Sequence, residues 1–224
     1  MVTPASVVNL TVHGIGPAPR PLDPDEDGTW VGTDQFERVL DAVAGRGDVV
    51  ITFDDGNASD VEIALPRLVE RNLTAEFFLP AGLLCQPGRL DHEGVRELLR
   101  AGMSIGSHGW AHINWRGLDD RQAKREMVEA HQVLDELTGH RVSRVAVPFG
   151  AYDRHVLRRL RQARVTRVYT SDGGRARPGS WLQPRNSLRR DLDAAWINRV
   201  LNGVPPLPVR AKKLAARAIK RIRG

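Results

Sequence analysis

Cysteine occurs once in the 224 residues, at Cys85. One thiol excludes an intrachain disulfide and a zinc site built on several thiolates. Its neighbours in sequence offer no base to activate it, so it reads as a buried or incidental residue. Aromatic residues are scarce at 5%, although five are Trp. Several of these fall in stretches that read as loops, a setting that suits a ligand groove. No apolar run approaches the length of a membrane span. Met1 to Ser6 lack the basic-then-apolar pattern of a secretion signal, so the expected address is the cytoplasm. No internal repeat and no recognisable nucleic-acid motif is present, and specific nucleic-acid recognition is not expected.

Acidic residues are missing from one place in particular. From Arg210 to Gly224 there are seven Lys and Arg and no Asp or Glu, enough by themselves to exceed the net charge of +6. The positive charge is therefore a local property of the tail. Leu214, Ala218, Ile219 and Ile222 share one side of a helix there, with Lys and Arg around the rest. Such a helix suits peripheral contact with an anionic membrane or another polyanion. This gives an expected division into a main domain at 1–208 and a basic amphipathic helix or tail at 209–224.

The rest of the chain alternates strand-like and helix-like segments. Strands are expected at Val7 to Val12, Val49 to Phe53, Thr74 to Leu79, Met103 to Gly106, Ser143 to Val147 and Val165 to Thr170. Helices are expected at Asp34 to Val43, from Ser59 to about Arg71, and at Asp91 to Arg100. Others run from Asp119 or Asp120 to Leu137, from Asp153 through an arginine-rich stretch, and over Leu192 to Leu201. Ser59 is the expected cap of the second helix, with Glu62 at the reciprocal capping position. Gly14 to about Thr33 and Gly173 to Pro184 read as loops. Alternation of this kind indicates an α/β domain with a mainly parallel sheet or barrel, in which functional loops follow strand ends.

Two such loops carry chemistry. Asp54 and Asp55 stand together in Thr52-Phe53-Asp54-Asp55-Gly56 after a short apolar strand. His108 and His112 stand four apart, with Gly106 and Gly109 arguing against a regular helix before the second of them. One carboxylate and two imidazoles can hold a divalent ion, leaving the second carboxylate to handle a proton. Spacing alone does not decide which aspartate does which. Either feature by itself also has a bland explanation, an Asp-Asp-Gly turn or a structural histidine pair.

Together the motifs resemble the polysaccharide deacetylase family, carbohydrate esterases of the NodB type, from His13 to about Arg185. The resemblance implies a distorted (β/α) barrel and removal of an N-acetyl group from an amino sugar in a polysaccharide, oligosaccharide, or lipid- or nucleotide-linked precursor. By the family's first motif, Asp54 is the base and Asp55 a metal ligand, joined by His108 and His112. The ion is expected to be zinc, with cobalt, nickel or manganese as alternatives. Gly109 stands where the family has a hydroxyl that braces the histidine loop, and the expectation is a looser site. Ala146-Val147-Pro148-Phe149-Gly150 resembles a third motif, with Phe149 offering its backbone N–H to an oxyanion and Ala146 in place of the arginine that orients the base. Arg185, in Leu182-Gln183-Pro184-Arg185, is the candidate replacement cation. His13 resembles the strand-end histidine that some relatives use as the acid. Pro148 suits a groove wall, and Trp110, Tyr152 and Trp181 are candidate sugar platforms. Rival readings are a metal-dependent hydrolase of a non-sugar amide and a non-catalytic glycan- or polyanion-binding protein.

Overall fold

The computed structural model describes residues 4–22, 24–203 and 207–222. The expected alternation closes into a ring of seven parallel strands. In chain order the strands are β1 (Val8–Val12), β2 (Gly14–Ile15), β3 (Trp30–Val31), β4 (Val49–Asp54), β5 (Ala75–Leu79), β6 (Ser104–Ser107), β7 (Arg144–Ala146), β8 (Arg167–Thr170) and β9 (Leu182–Ser187). The barrel runs β1-β4-β5-β6-β7-β8-β9 and closes where Asn9 to Thr11 pair with Arg185 to Ser187. Parallel pairing requires a crossover after each strand, and helices cover the outside, so the strands are largely buried although several carry polar residues.

Those helices are α1 (Pro24–Asp27), α2 (Thr33–Val43), α3 (Leu65–Glu70), α4 (His92–Arg100), α5 (Asp120–Lys124), α6 (Ala130–Thr138), α7 (Arg154–Gln162), α8 (Ala194–Asn202) and α9 (Leu207–Ile222). In α2 the predicted stripe of Phe36, Val39, Leu40 and Val43 is buried. Asp91, Asp119, Asp153 and Asp193 each cap a helix by accepting from a backbone N–H. Gly139 takes the left-handed conformation that ends α6.

Three local expectations are corrected, and a π-turn is found in the second helix ahead of Pro66. Ser59 has helical dihedrals and caps nothing; its hydroxyl accepts from the Ile15 N–H instead. The helix behind it begins with a π-turn, Asp60–Ala64, immediately before Pro66, where a missing N–H and ring bulk disfavour the ordinary i−4 bond. The expected loop at Gly173 to Pro184 ends inside β9, so Arg185 belongs to a barrel strand. The loop after His13 holds the small β2–β3 sheet, in which Gly14 passes so close to the Trp30 ring that any Cβ would overlap it.

Trp30 and Trp115 are buried core residues rather than groove residues. Cys85 is exposed and incidental. His92, His131 and His155 lie in the outer helices and His140 just beyond α6. No helix among the described residues is long and apolar enough to cross a membrane.

Candidate active site

β4 ends at Asp54, and the backbone then turns through positive φ at Asp55 (77°) and Gly56 (60°). The two carboxylates consequently diverge into different surroundings. Asp54 is buried and is clamped by Arg185, whose Nη1 and Nη2 donate to Oδ1 and Oδ2 at 2.6 Å each. Nη1 also donates to Thr52 Oγ1 at 3.1 Å. Arg185 is itself only 1% exposed and lies over the Phe78 and Tyr169 rings at 5.4 and 5.7 Å. Burial pushes the Asp54 carboxyl up, but Arg185, joined by His108 and His13, outweighs it and holds the group below the ordinary 3.8. Asp54 is therefore an ionised carboxylate, as a base must be.

Asp55 faces the histidines. Its Oδ1 is 3.5 Å from His108 Nε2 and 3.3 Å from His112 Nε2, and has no hydrogen-bond partner. Burial raises this carboxyl while the His108 and His112 rings lower it further, leaving it well below the ordinary carboxylate range. His108 follows directly on β6. Its Nδ1 lies 2.8 Å from the Ala146 carbonyl, which can only accept, so Nδ1 carries a proton and Nε2 is the ring nitrogen that faces Asp55. His112 is pushed down to about 4 by burial, against the opposing pull of Asp55, and is neutral near pH 7. For His108, burial is outweighed by Asp54 and Asp55, which favour its protonated form.

One donor atom from each of Asp55, His108 and His112 lies within 4.8 Å of the others. A buried carboxylate oxygen lacking a partner, flanked by two imidazole nitrogens, fits a divalent cation. The carbonyl that fixes the His108 tautomer is the outer support that such ligands need.

The loop between the two histidines is irregular, and Gly109 and His112 both have positive φ. The looseness expected from Gly109 is not found. Glu126, buried in the π-helical turn Arg125–Glu129 between α5 and α6, reaches under the loop. Its Oε2 accepts from Trp110 N at 2.9 Å and Trp115 Nε1 at 3.1 Å, and its Oε1 from Ala111 N at 3.1 Å. A Cβ at position 109 would lie 2.4 Å from Glu126 Oε2, so glycine and glutamate occupy the space together. Sequence reasoning missed Glu126. Its signal was a charge on the helix face that also carries Ala123, Met127 and Ala130, all buried.

His13 follows β1, whose last residue Val12 pairs with Phe53, so it stands beside the Asp54 end of β4. Its carbonyl accepts from Asn57 Nδ2 at 2.8 Å, and its Nδ1 is buried without a partner. Arg89, also unforeseen, donates to the Asp55 carbonyl and to Asn57 Oδ1, tying down the turn behind the ligand. Phe149 sits at φ 57°, is 55% exposed, and lays its ring 4.5 Å from that of His112. Pro148 beside it is buried.

The aromatic platforms fare differently. Trp110 is half-buried and packs against the core, with the Arg125 guanidinium 4.7 Å from its ring. Tyr152 is buried and donates to Asp172 Oδ2 at 2.7 Å, so it offers no platform. Trp181 donates to the Val165 carbonyl and carries Arg161 over its ring at 4.1 Å. It lines a cavity whose walls include none of Asp54, Asp55, His13, His108 or His112.

A family model described as polysaccharide deacetylase matches residues 42–168, more than half of the chain. The Bacillus subtilis protein YxkH is 27% identical over 128 residues, covering 57% of this chain and 46% of its own. A peptidoglycan-N-acetylglucosamine deacetylase of Bacillus cereus is 26% identical over 132 residues, covering 56% and 46%. The chain thus spans about half the length of the curated relatives it matches. Among solved structures, the Streptococcus pyogenes deacetylase PplD, in complex with acetate, superposes with a TM-score of 0.78 at 19% identity, over 89% of this chain and 100% of that one.

Proposed function

This chain belongs to the polysaccharide deacetylase family, and from that membership and the geometry of its site we propose that it hydrolyses the N-acetyl group of an amino sugar with the help of one divalent ion. The observation that carries the reading is the pairing of Asp55, His108 and His112 as three convergent donors with an arginine-clamped carboxylate, Asp54, beside them. Zinc suits one carboxylate and two imidazoles, and cobalt, nickel or manganese can occupy the same donors. When bound, the ion supplies Lewis acidity toward the amide carbonyl and the attacking water.

The chain's own groups account for the rest. Asp54, kept ionised by Arg185, accepts the proton of the water as its oxygen adds to the amide carbon. The Phe149 N–H helps to hold the negative charge that develops on the carbonyl oxygen. His13 donates a proton to the sugar nitrogen as the carbon–nitrogen bond breaks, giving acetate and a free amine. Arg185 and Thr52 keep Asp54 aimed, and Glu126 keeps the histidine loop in place. The peptidoglycan deacetylase named above supports an amino sugar as the substrate class.

The test is bound-metal stoichiometry by elemental mass spectrometry in the wild type and a folded His108→Ala variant, followed by acetate release from N-acetylated oligosaccharides. About one ion per chain, lost in the variant, is the expected result. No site-specific ion after reconstitution with zinc, cobalt and manganese would sink the mechanism.

A further inference from the structure

The C-terminal helix meets the rest of the protein with its polar side. Its inward contacts are polar. Lys220 Nζ donates to Asp172 Oδ1 at 2.7 Å and to the Gly150 carbonyl at 3.3 Å, and stands 5.1 Å from the centre of the Tyr152 ring. Arg217 donates to the Gly173 carbonyl. Leu207, Leu214, Ile219 and Ile222 are 57–77% exposed, and Ala211, Ala215 and Ala218 between them are exposed as well. Positions 207, 211, 214, 218 and 222 repeat at helical spacing, so they form one continuous apolar stripe turned away from the protein.

The surroundings of that stripe select its occupant. α9 carries no acidic residue. Lys212 and Arg221 are exposed beside the stripe. Next to the helix is a cavity of about 940 Å³ whose walls include Arg161, Arg175, Arg177, Arg217 and Arg221. Its one carboxylate, Asp172, is already engaged by Lys220, Tyr152 and Thr170. A second copy of this helix would bring an equal positive charge against the first. A soluble polyanion would answer the charge and leave the apolar stripe in water. An anionic bilayer answers both, taking the stripe into its acyl boundary and the flanking cations among its phosphates.

We propose that α9 is an interfacial helix that docks this protein on an anionic phospholipid bilayer. Lys220 ties the helix to Gly150, the neighbour of Phe149, whose ring rests on His112. The docking helix is thereby tied to the loop that carries Phe149, beside the Asp55–His108–His112 cluster. The claim is read by binding alone and stands whether or not the chain deacetylates a sugar.

The experiment is vesicle flotation of the full chain with phosphatidylcholine alone and with phosphatidylcholine mixed with phosphatidylglycerol. Binding to the mixed vesicles, weakened by added salt, is expected. Ile219→Asp with Ile222→Asp should reduce that binding roughly tenfold or more, and Lys212→Glu at least about fivefold. Val69→Asp, at an exposed apolar residue of α3, should leave it unchanged. Thermal melting checks the fold of each variant. Equal binding to both vesicle types, or binding that survives the two Asp substitutions, would overturn the proposal. So would self-association without lipid that those substitutions abolish, since the stripe would then be a contact between copies.

Discussion

Glu126→Gln keeps the shape of the side chain and removes its charge, so it isolates what the buried carboxylate does. The carboxylate accepts three N–H groups, two from the backbone between the histidine ligands and one from the Trp115 indole. A glutamine oxygen placed at Oε2 keeps the bonds from Trp110 N and Trp115 Nε1. Its amide group then faces the Ala111 N–H, donor against donor. One bond is lost and two lose their charge assistance, for a cost of about 3 kcal/mol. For a chain of this size that lowers the melting temperature by about 6–12 °C. Because two of the three donors lie between His108 and His112, part of the cost should appear as metal affinity, weaker by about 10–100-fold.

The assay is competition for zinc against a chromophoric chelator, alongside melting of the metal-free and metal-loaded protein. Trp115→Phe is the paired control. It removes the single bond that does not come from the loop backbone, so it should lower stability and leave affinity nearly unchanged. Wild-type affinity in Glu126→Gln, or an equal loss in both variants, would refute the view that Glu126 sets the histidine loop.

Gly109→Ser, which restores a hydroxyl of the family type, should destabilise the fold by about 2 kcal/mol or more, because φ is 81° and the new Cβ would press on Glu126; a gain in denaturant midpoint would contradict this. Arg185→Lys replaces two 2.6 Å bonds with one point charge. Burial then weighs more heavily on Asp54, its pKa rises, and the acidic limb of kcat/KM moves to higher pH; an unmoved limb would refute the clamp. Asp60 is buried with neither carboxylate oxygen hydrogen-bonded, and burial together with Asp55 raises its pKa well above 3.8. A folded-state value above the unfolded one means that the protonated carboxyl costs little below about pH 4 and that stability is lost as pH rises toward the folded-state value. Asp60→Asn should therefore gain on the wild type with rising pH in denaturant titrations, and a pH-independent difference would count against the reasoning.

The fold was legible where one physical signal acted alone. The stripe of α2, the helix starts at Asp91, Asp119 and Asp153 and the order of the strands follow from local periodicity and turn chemistry, and the structure keeps them. It was illegible where a partner distant in sequence decides. Ser59 has the composition of a cap, yet Ile15 takes its hydroxyl. Tyr152 has the look of a sugar platform, yet Asp172 and Lys220 hold it inside. Leu214, Ile219 and Ile222 were readable as one side of a helix, but which side would meet the barrel depended on Asp172 and on the carbonyls of Gly150 and Gly173. Glu126 shows the same limit within the site, because its donors lie 11 to 16 residues back along the chain.

Arg185 shows how a motif can lose a residue while the site keeps the group. The family pattern has an arginine where this chain has Ala146, at the end of β7. Ala146 is fully buried and packs in a small cluster with Phe78 and Tyr169. Those two rings are the ones over which the Arg185 guanidinium lies. β9 pairs with β1, and β1 pairs with β4, so a side chain entering from β9 can span the barrel interior to the end of β4 and reach Asp54. A second arginine at position 146 would crowd the same aromatic shelf and set two buried cations beside one carboxylate, a charge imbalance that a low-dielectric interior penalises heavily. We propose that alanine at 146 and arginine at 185 form one arrangement, in which β9 supplies the cation that holds Asp54. Ala146→Arg alone should therefore fail to help, whereas Ala146→Arg combined with Arg185→Met should recover part of the activity lost in Arg185→Met. Failure of the double variant to exceed the single one in acetate release would show that the position of the cation matters as well as its presence.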